Sequence, residues 1–181
     1  MKKDELLYST EWIDMYKTKH GFIYCQRKGI NSIAALVYKK TNEGFLFLVR
    51  YQPLPEIADK KDDFEPYPCS ITGTIENNKT TLQTAINEVW EEGGIKVSNK
   101  NLRAQNQYVA TTQSNEIVYG FLFEVDSKTE QNNNNCDGSI FETKSFNEWH
   151  TEQEVQKIIS NKLHHSSLAE LYLLFKIIGN K

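Results

Sequence analysis

The chain has 181 residues, 39% of them hydrophobic and 12% aromatic, which is enough for one domain with a core of its own. A formal net charge of −3 at pH 7 excludes a strongly basic surface, so we expect no nucleic-acid partner. Cys25, Cys69 and Cys136 form no CxxC pair and no zinc spacing, which favours reduced thiols in a cytoplasmic protein. No signal-peptide pattern follows Met1 and no apolar run has membrane-spanning length, so we expect no membrane partner.

The first segment of the chain is rich in aromatic residues that alternate with polar ones. This alternation runs over residues 8–27, includes Trp12, and is interrupted by a single glycine near its middle. It predicts a β-hairpin. We therefore expect an N-terminal hairpin arm over residues 1–28, followed by one domain over residues 29–181.

Two short apolar runs follow, over residues 32–39 and 45–49, with turn-forming residues between them. They predict a pair of core strands. All four prolines lie within residues 52–68, which predicts a long loop with little regular structure. Short β character returns over residues 71–75.

The clearest helix pattern covers residues 80–92. Apolar side chains recur there at helical spacing, at Leu82, Ala85, Ile86 and Val89. Thr80 or Thr81 is the candidate N-cap, and Gly93-Gly94 ends the pattern because glycine adopts the left-handed conformation without a steric penalty.

The rest of the chain adds strands and then helices. We predict strands over 103–111, 116–126 and 140–146, a polar loop over 127–138, and helices over 152–159 and 166–178. The order of strands, one helix, more strands and final helices predicts an α+β fold, an α/β/α sandwich with a mixed β-sheet.

Three glutamates share one face of the first helix. Glu88, Glu91 and Glu92 are spaced i, i+3 and i+4, so their like charges repel one another near a helix C-terminus. A bound divalent cation offsets that repulsion, and Mg²⁺ or Mn²⁺ prefers such oxygen ligands. From the glutamates alone, a solvated acidic face is the better interpretation. Gly73, fifteen residues before Glu88, makes a β-loop-α metal site the better one.

This β-loop-α unit resembles the box of the Nudix family, G-x5-E-x7-R-E-U-x-E-E-x-G-U, where U is a bulky apolar residue. Gly73 and residues 88–95 match the box with correct spacing. Lys79 replaces the first box glutamate, and Asn87 replaces the box arginine. In the family, the replaced glutamate and arginine support the loop and orient the catalytic glutamate. Glu76 is a candidate substitute for the missing glutamate.

The wider chain is similar to the ADP-ribose and ADP-sugar pyrophosphatase branch of that family. The similarity rests on the aromatic hairpin, residues 32–37, residues 48–51, residues 114–116 and the closing helix. It implies hydrolysis of ADP-ribose or an ADP-sugar to AMP and a sugar phosphate. It also implies a homodimer in which the hairpins are exchanged between subunits.

The resemblance assigns the site residues by their positions in these motifs. Glu88 and Glu92 would bind the metal directly, Glu91 would serve a second metal, and the carbonyl of Thr72 would be a backbone ligand. Glu116 joins the three glutamates as a candidate catalytic carboxylate. The candidate residues for substrate binding are Arg50, Arg27, Trp12 and Gly73. A hairpin or dimer-core role for Trp12 is an equally good interpretation.

Two departures from the branch keep other functions open. Pro53 lies where a second arginine is common, and only Asp137 or Glu142 offers a late acidic residue. A nucleotide-binding module with weakened catalysis is one alternative function. A pyrophosphatase for nucleoside triphosphates or dinucleoside polyphosphates is another.

Histidine and cysteine residues elsewhere in the chain are less promising as catalytic groups. His20, His164 and His165 have no partner at ligand spacing, which favours surface or capping roles. Cys69 has no histidine or aspartate pattern around it, which favours a packing role.

Overall fold

The computed structural model describes residues 4–76, 78–132 and 140–179, apart from the side chain of Glu142. Asp137 and Cys136, which figured in the sequence predictions, lie outside the described residues. Within the described ranges, no helix is both long and apolar enough to cross a membrane.

The N-terminal segment forms a small antiparallel sheet of its own. Its strands are β1 (Glu5–Ser9), β2 (Ile13–Lys17) and β3 (Ile23–Arg27), in the order β1-β2-β3. The predicted two-stranded hairpin is therefore a three-stranded meander, and Trp12 lies in the turn between β1 and β2. The boundary between an arm over 1–28 and a domain over 29–181 stays a prediction.

Seven strands form the central sheet. They are β4 (Ser32–Thr41), β5 (Gly44–Pro53), β6 (Pro66–Cys69), β7 (Ile71–Thr74), β8 (Leu102–Val109), β9 (Ile117–Val125) and β10 (Phe146–Thr151). The main path is β10-β5-β4-β9-β8, while β6 pairs with β5 and β7 pairs with β4. The β4–β9 pair is parallel and the other pairs are antiparallel. The predicted mixed sheet is confirmed.

Helices cover both faces of this sheet. They are α1 (Thr81–Glu91), α2 (Glu152–Asn161) and α3 (Ser166–Gly179). Alternate residues of β4 enter two separate cores, because successive side chains of a strand point to opposite faces. Ile33, Ala35 and Val37 pack in the core that contains α1. Ala34, Leu36 and Tyr38 pack in the core that contains α2 and α3. This confirms the predicted α+β class and layered architecture.

Two predictions of local structure were wrong. Part of the predicted proline-rich loop is the strand β6, in which Pro66 pairs with Pro53 and Pro68 pairs with Tyr51. Proline, which lacks an N–H, is tolerated in such a short peripheral strand. The predicted strand over 140–146 contains instead the 3₁₀ turn Glu142–Lys144, and β10 begins at Phe146.

Both ends of α1 are held by local hydrogen bonds. The Thr80 hydroxyl accepts from the Gln83 N–H at 3.2 Å, and the Gln83 side chain accepts from the Thr80 N–H at 3.0 Å. At the other end Gly94 has φ +69°, and its N–H donates to the Trp90 carbonyl at 3.1 Å. These caps fix where the helix stops, and so they fix the carboxylates of its last turn.

Candidate active site

A cavity of about 400 Å³ lies beside the C-terminal end of α1. Its wall includes Thr72 and Gly73 of β7 together with Glu88 and Glu92 of the helix end. The strand and the helix meet here because β7 pairs with β4 and α1 packs over the same face of the sheet. Both ends of the β-loop-α unit predicted from sequence therefore lie on the wall of one cavity.

Gly73 is needed because Glu88 lies directly against its backbone. A Cβ added at Gly73 would overlap the carboxyl group of Glu88. The absence of a side chain at Gly73 therefore lets the Glu88 carboxylate sit close to strand β7.

Gly73→Ala is expected to displace the Glu88 carboxylate and to lower kcat/KM by about 10- to 100-fold, because small misplacements of reacting groups are costly. The free energy of unfolding should fall by only about 1 kcal/mol, since Glu88 is flexible enough to move. Steady-state kinetics and urea unfolding measure the two effects. Gly179→Ala is the control, because an added Cβ there meets open space. Full activity in Gly73→Ala would contradict this account of the contact.

Arg50 lies beneath the end of α1 and does not line the cavity, which corrects the prediction that it would do so. Its side chain is 1% exposed. The guanidinium donates to the carbonyl and to the Oε1 carboxylate oxygen of Glu92, each at 3.1 Å, and to the Gln52 side chain at 3.3 Å. Asn147 also donates to the Glu92 carbonyl, at 2.7 Å. Arg50 is therefore a positioning residue for Glu92.

Arg27, at the end of β3, brings a positive charge from the N-terminal sheet into the cavity wall. Its guanidinium donates to Glu116 and to the Thr74 hydroxyl, both at 3.1 Å. The Arg27 side chain is 48% exposed and that of Glu116 is 12% exposed, so Arg27 remains accessible to a ligand. The structure thus places Arg27 and Glu116 on the same cavity wall as Glu88 and Glu92.

Other predicted site residues lie away from this cavity. Trp12 is 75% exposed in the β1–β2 turn, and Glu91 is exposed on α1. Glu76 pairs with Lys79 at 3.0 Å on the loop before α1, and its side chain is 61% exposed. None of these four residues is part of the cavity wall. Trp12 therefore does not reach the cavity within this chain, and the substitute role of Glu76 stays a prediction.

The donor set of the cavity fits a hard divalent cation. Glu88 and Glu92 present carboxylates to it, and the predicted backbone ligand Thr72 is part of the same wall. Among the residues that the structure describes, no group of three or more His, Cys, Asp or Glu side chains is arranged to hold a metal. Mg²⁺ commonly takes one or two protein carboxylates and completes its shell with water and substrate phosphate, so two carboxylates suffice.

The structure adds residues that the sequence analysis placed elsewhere or did not single out. His165, Ser167, Gln52 and Phe141 are part of the cavity wall. A histidine followed by serines at a helix start was the only sequence signal for His165, and that pattern is also typical of an ordinary cap.

Burial raises the pKa of the Cys69 thiol to about 12, which supports the predicted packing role.

Comparison with known proteins agrees with this geometry. The sequence model of one protein family, the NUDIX domain, matches residues 30–174 of this chain. A curated relative, the dihydroneopterin triphosphate diphosphatase of Haemophilus influenzae, is 33% identical over 78 residues. The match covers 43% of this chain and 42% of that protein, so it spans less than half of the relative's length. These findings support the predicted class, a pyrophosphohydrolase, but this relative does not point to the ADP-ribose branch.

Proposed function

Since the chain belongs to the Nudix family, we propose that it is a divalent-metal-dependent hydrolase that cleaves a pyrophosphate bond in a nucleotide-like small molecule. One observation carries the proposal: Glu88 and Glu92 line the same cavity as Arg27. Carboxylates that suit a hard cation and a guanidinium that suits a phosphate are the two groups that this reaction needs.

The charges of the cavity wall support the need for a cation. Among the residues that the structure describes, the wall carries three carboxylates, those of Glu88, Glu92 and Glu116, and one guanidinium, that of Arg27. A pyrophosphate group would be repelled by this surplus of negative charge unless a cation screened it. Mg²⁺ or Mn²⁺ would supply that screening and lower the pKa of an attacking water.

The protein residues have separate roles in this proposal. Glu88 and Glu92 would hold the metal, with Thr72 as the backbone ligand. Arg27 would bind a phosphate oxygen, and it would release Glu116 as it did so, since the two now pair at 3.1 Å. A released carboxylate within the cavity is a candidate to accept the proton of the attacking water.

Two substrate classes are candidates. The sequence resemblance favours ADP-ribose or an ADP-sugar, and it also implies a homodimer with exchanged N-terminal hairpins. The scattered cysteines favour a cytoplasmic protein. A triphosphate of a heterocyclic compound is favoured by the name of the Haemophilus relative. Because Trp12 does not line the cavity, stacking by Trp12 on an ADP-sugar would require the tryptophan of a second copy of the chain.

A substrate panel tests the function and separates the candidates. The protein is incubated with Mg²⁺ or Mn²⁺ and ADP-ribose, dihydroneopterin triphosphate, nucleoside triphosphates or dinucleoside polyphosphates. Release of AMP, pyrophosphate and orthophosphate is then measured. We expect turnover that depends on the metal and is abolished by a chelator. Nucleotide binding without any turnover would overturn the proposal and support a binding module weakened at Lys79 and Asn87.

A further inference from the structure

A second cavity adjoins the one described above. It measures about 360 Å³ and shares with the first cavity the residues Arg27, Gln52, Thr72, Phe141 and His165. Its remaining wall includes Leu54 and Pro55 from the loop after β5. We call this space the side chamber. It contains neither Glu88 nor Glu92, the two residues after which we call the first cavity the carboxylate cavity, although Glu56 also lies on its wall.

His165 lies on the wall of both cavities, and buried hydroxyl groups fix its ring. Its Nδ1 lies 2.8 Å from the Ser167 hydroxyl and 3.3 Å from the Ser167 backbone nitrogen. The Ser70 hydroxyl donates to the Ser167 hydroxyl at 2.6 Å, and both serines are 0% exposed. The Ser167 hydroxyl proton is therefore directed at His165.

This arrangement determines where the neutral imidazole carries its proton. A backbone N–H can only donate, so Nδ1 of His165 accepts from Ser167, and the ring proton is on Nε2. A proton on Nδ1 would point at the backbone N–H of Ser167, so two hydrogen-bond donors would face each other. Because Nδ1 is turned towards Ser167, the Nε2–H edge is the polar edge left to face the cavities.

The surroundings of His165 favour the neutral ring. Burial lowers the pKa of His165, and the nearby His164 lowers it further. Glu56 and Glu116 act in the opposite direction, but they do not outweigh burial. His165 is thus a permanent hydrogen-bond donor near neutral pH, without a full positive charge.

We propose that His165 is a substrate-binding residue whose Nε2–H donates to a phosphate oxygen, at the point where the polyphosphate in the carboxylate cavity joins an organic group in the side chamber. The inference rests on the proposed function and adds to it the direction in which the substrate binds. The organic group would be planar or apolar, because Phe141, Leu54 and Pro55 line the chamber.

Kinetics of three variants test the proposal. His165→Phe keeps the ring but removes the donor, so KM for any substrate that the wild type hydrolyses should rise about tenfold or more, with a smaller change in kcat. His165→Gln carries an amide N–H at similar reach and should restore most of the affinity. His164→Phe is the matched control, because His164 bonds the Lys162 carbonyl at 2.9 Å and is not part of either wall.

A second measurement does not depend on turnover. Two-bond ¹H–¹⁵N spectra of the wild type should show His165 neutral, with its proton on Nε2, near pH 7. The non-hydrolysable diphosphate α,β-methylene-ADP, added with Mg²⁺, should shift that Nε2–H signal. A cationic ring, a proton on Nδ1, or an unshifted signal would overturn the inference.

The two failures are distinguishable. If the wild type hydrolyses nothing, the proposed function fails, while the Nε2–H shift still reports whether His165 contacts the analogue. If the wild type is active and His165→Phe keeps KM within twofold, the inference alone fails. If circular dichroism shows that His165→Phe does not fold, the inference is tested by the KM of His165→Gln and by the ¹H–¹⁵N spectra of the wild type. A Gln variant with tenfold weaker binding and a wild-type signal unmoved by the analogue would then overturn the inference.

Discussion

Replacement of Glu92 by glutamine is expected to lower kcat/KM by about 10²- to 10⁴-fold while leaving the fold intact. Glu92 is at the end of α1, its carboxylate lines the cavity, and the side chain is 15% exposed. The substitution removes one negative charge and one metal-binding oxygen but almost no volume. The Gln side-chain oxygen still accepts a hydrogen bond from Arg50, so the support of the helix end is retained.

The comparison among the three glutamates of α1 makes this prediction sharper. Glu88→Gln should cause a loss similar to that of Glu92→Gln, because Glu88 also lines the cavity. Glu91→Gln should cause a smaller loss, since Glu91 is exposed and outside the cavity wall. Glu43→Gln, on the turn after β4, is the control for an ordinary exposed carboxylate.

Steady-state kinetics at saturating Mg²⁺ and isothermal titration with Mn²⁺ measure these effects. Reduced metal affinity in Glu88→Gln and Glu92→Gln should accompany reduced kcat/KM. Equal losses of kcat/KM at all three glutamates would show that a position on the cavity wall does not determine which glutamates contribute to catalysis. Unchanged kcat/KM in Glu92→Gln would contradict its proposed role.

Arg50→Met is expected to reduce the free energy of unfolding by about 3–5 kcal/mol, the range for breaking one side of a buried ion pair. The Arg50 guanidinium is 1% exposed and makes two of its bonds to Glu92. Methionine has a similar length and apolar stem but donates no hydrogen bond. It would therefore leave the Glu92 carboxylate, whose side chain is 15% exposed, without the Arg50 guanidinium. Activity should fall as well, because Glu92 would no longer be held.

An exposed ion pair of similar geometry is the control for Arg50. Arg103 donates to Glu124 at 2.6 Å, but their side chains are 43% and 31% exposed. Arg103→Met should therefore cost no more than about 1 kcal/mol. Urea unfolding followed by circular dichroism gives both values. Similar losses in the two variants would mean that the burial of Arg50 adds nothing.

A double substitution separates the pair from its parts. Arg50→Met combined with Glu92→Gln removes both charges, and the free energy of unfolding should recover part of the loss seen in Arg50→Met. No recovery would indicate that the stabilising contact of Arg50 is with the Glu92 carbonyl or Gln52 rather than with the carboxylate.

The sequence by itself determined the features that depend on neighbouring residues. The bounds and caps of α1 follow from Thr80, Gln83 and Gly94, which contact groups within four residues. The shared face of Glu88 and Glu92 follows from helical spacing alone. The pairing of β4 with β5 follows from two apolar runs joined by a short turn. Such features form wherever the chain is locally consistent, so the pattern is sufficient to predict them.

The tertiary structure alone decided which distant side chains meet. Arg50 and Glu92 are 42 residues apart, and Ser70 and Ser167 are 97 apart. No local pattern carries these contacts, because they arise when β5 packs beneath α1 and the start of α3 reaches Ser70. Arg50 therefore supports the site from below and His165 enters its wall. Glu88 and Glu92 could be predicted as a pair because one helix carries them both. Arg50 and His165 could not be placed beside them, because they come from other elements of the fold.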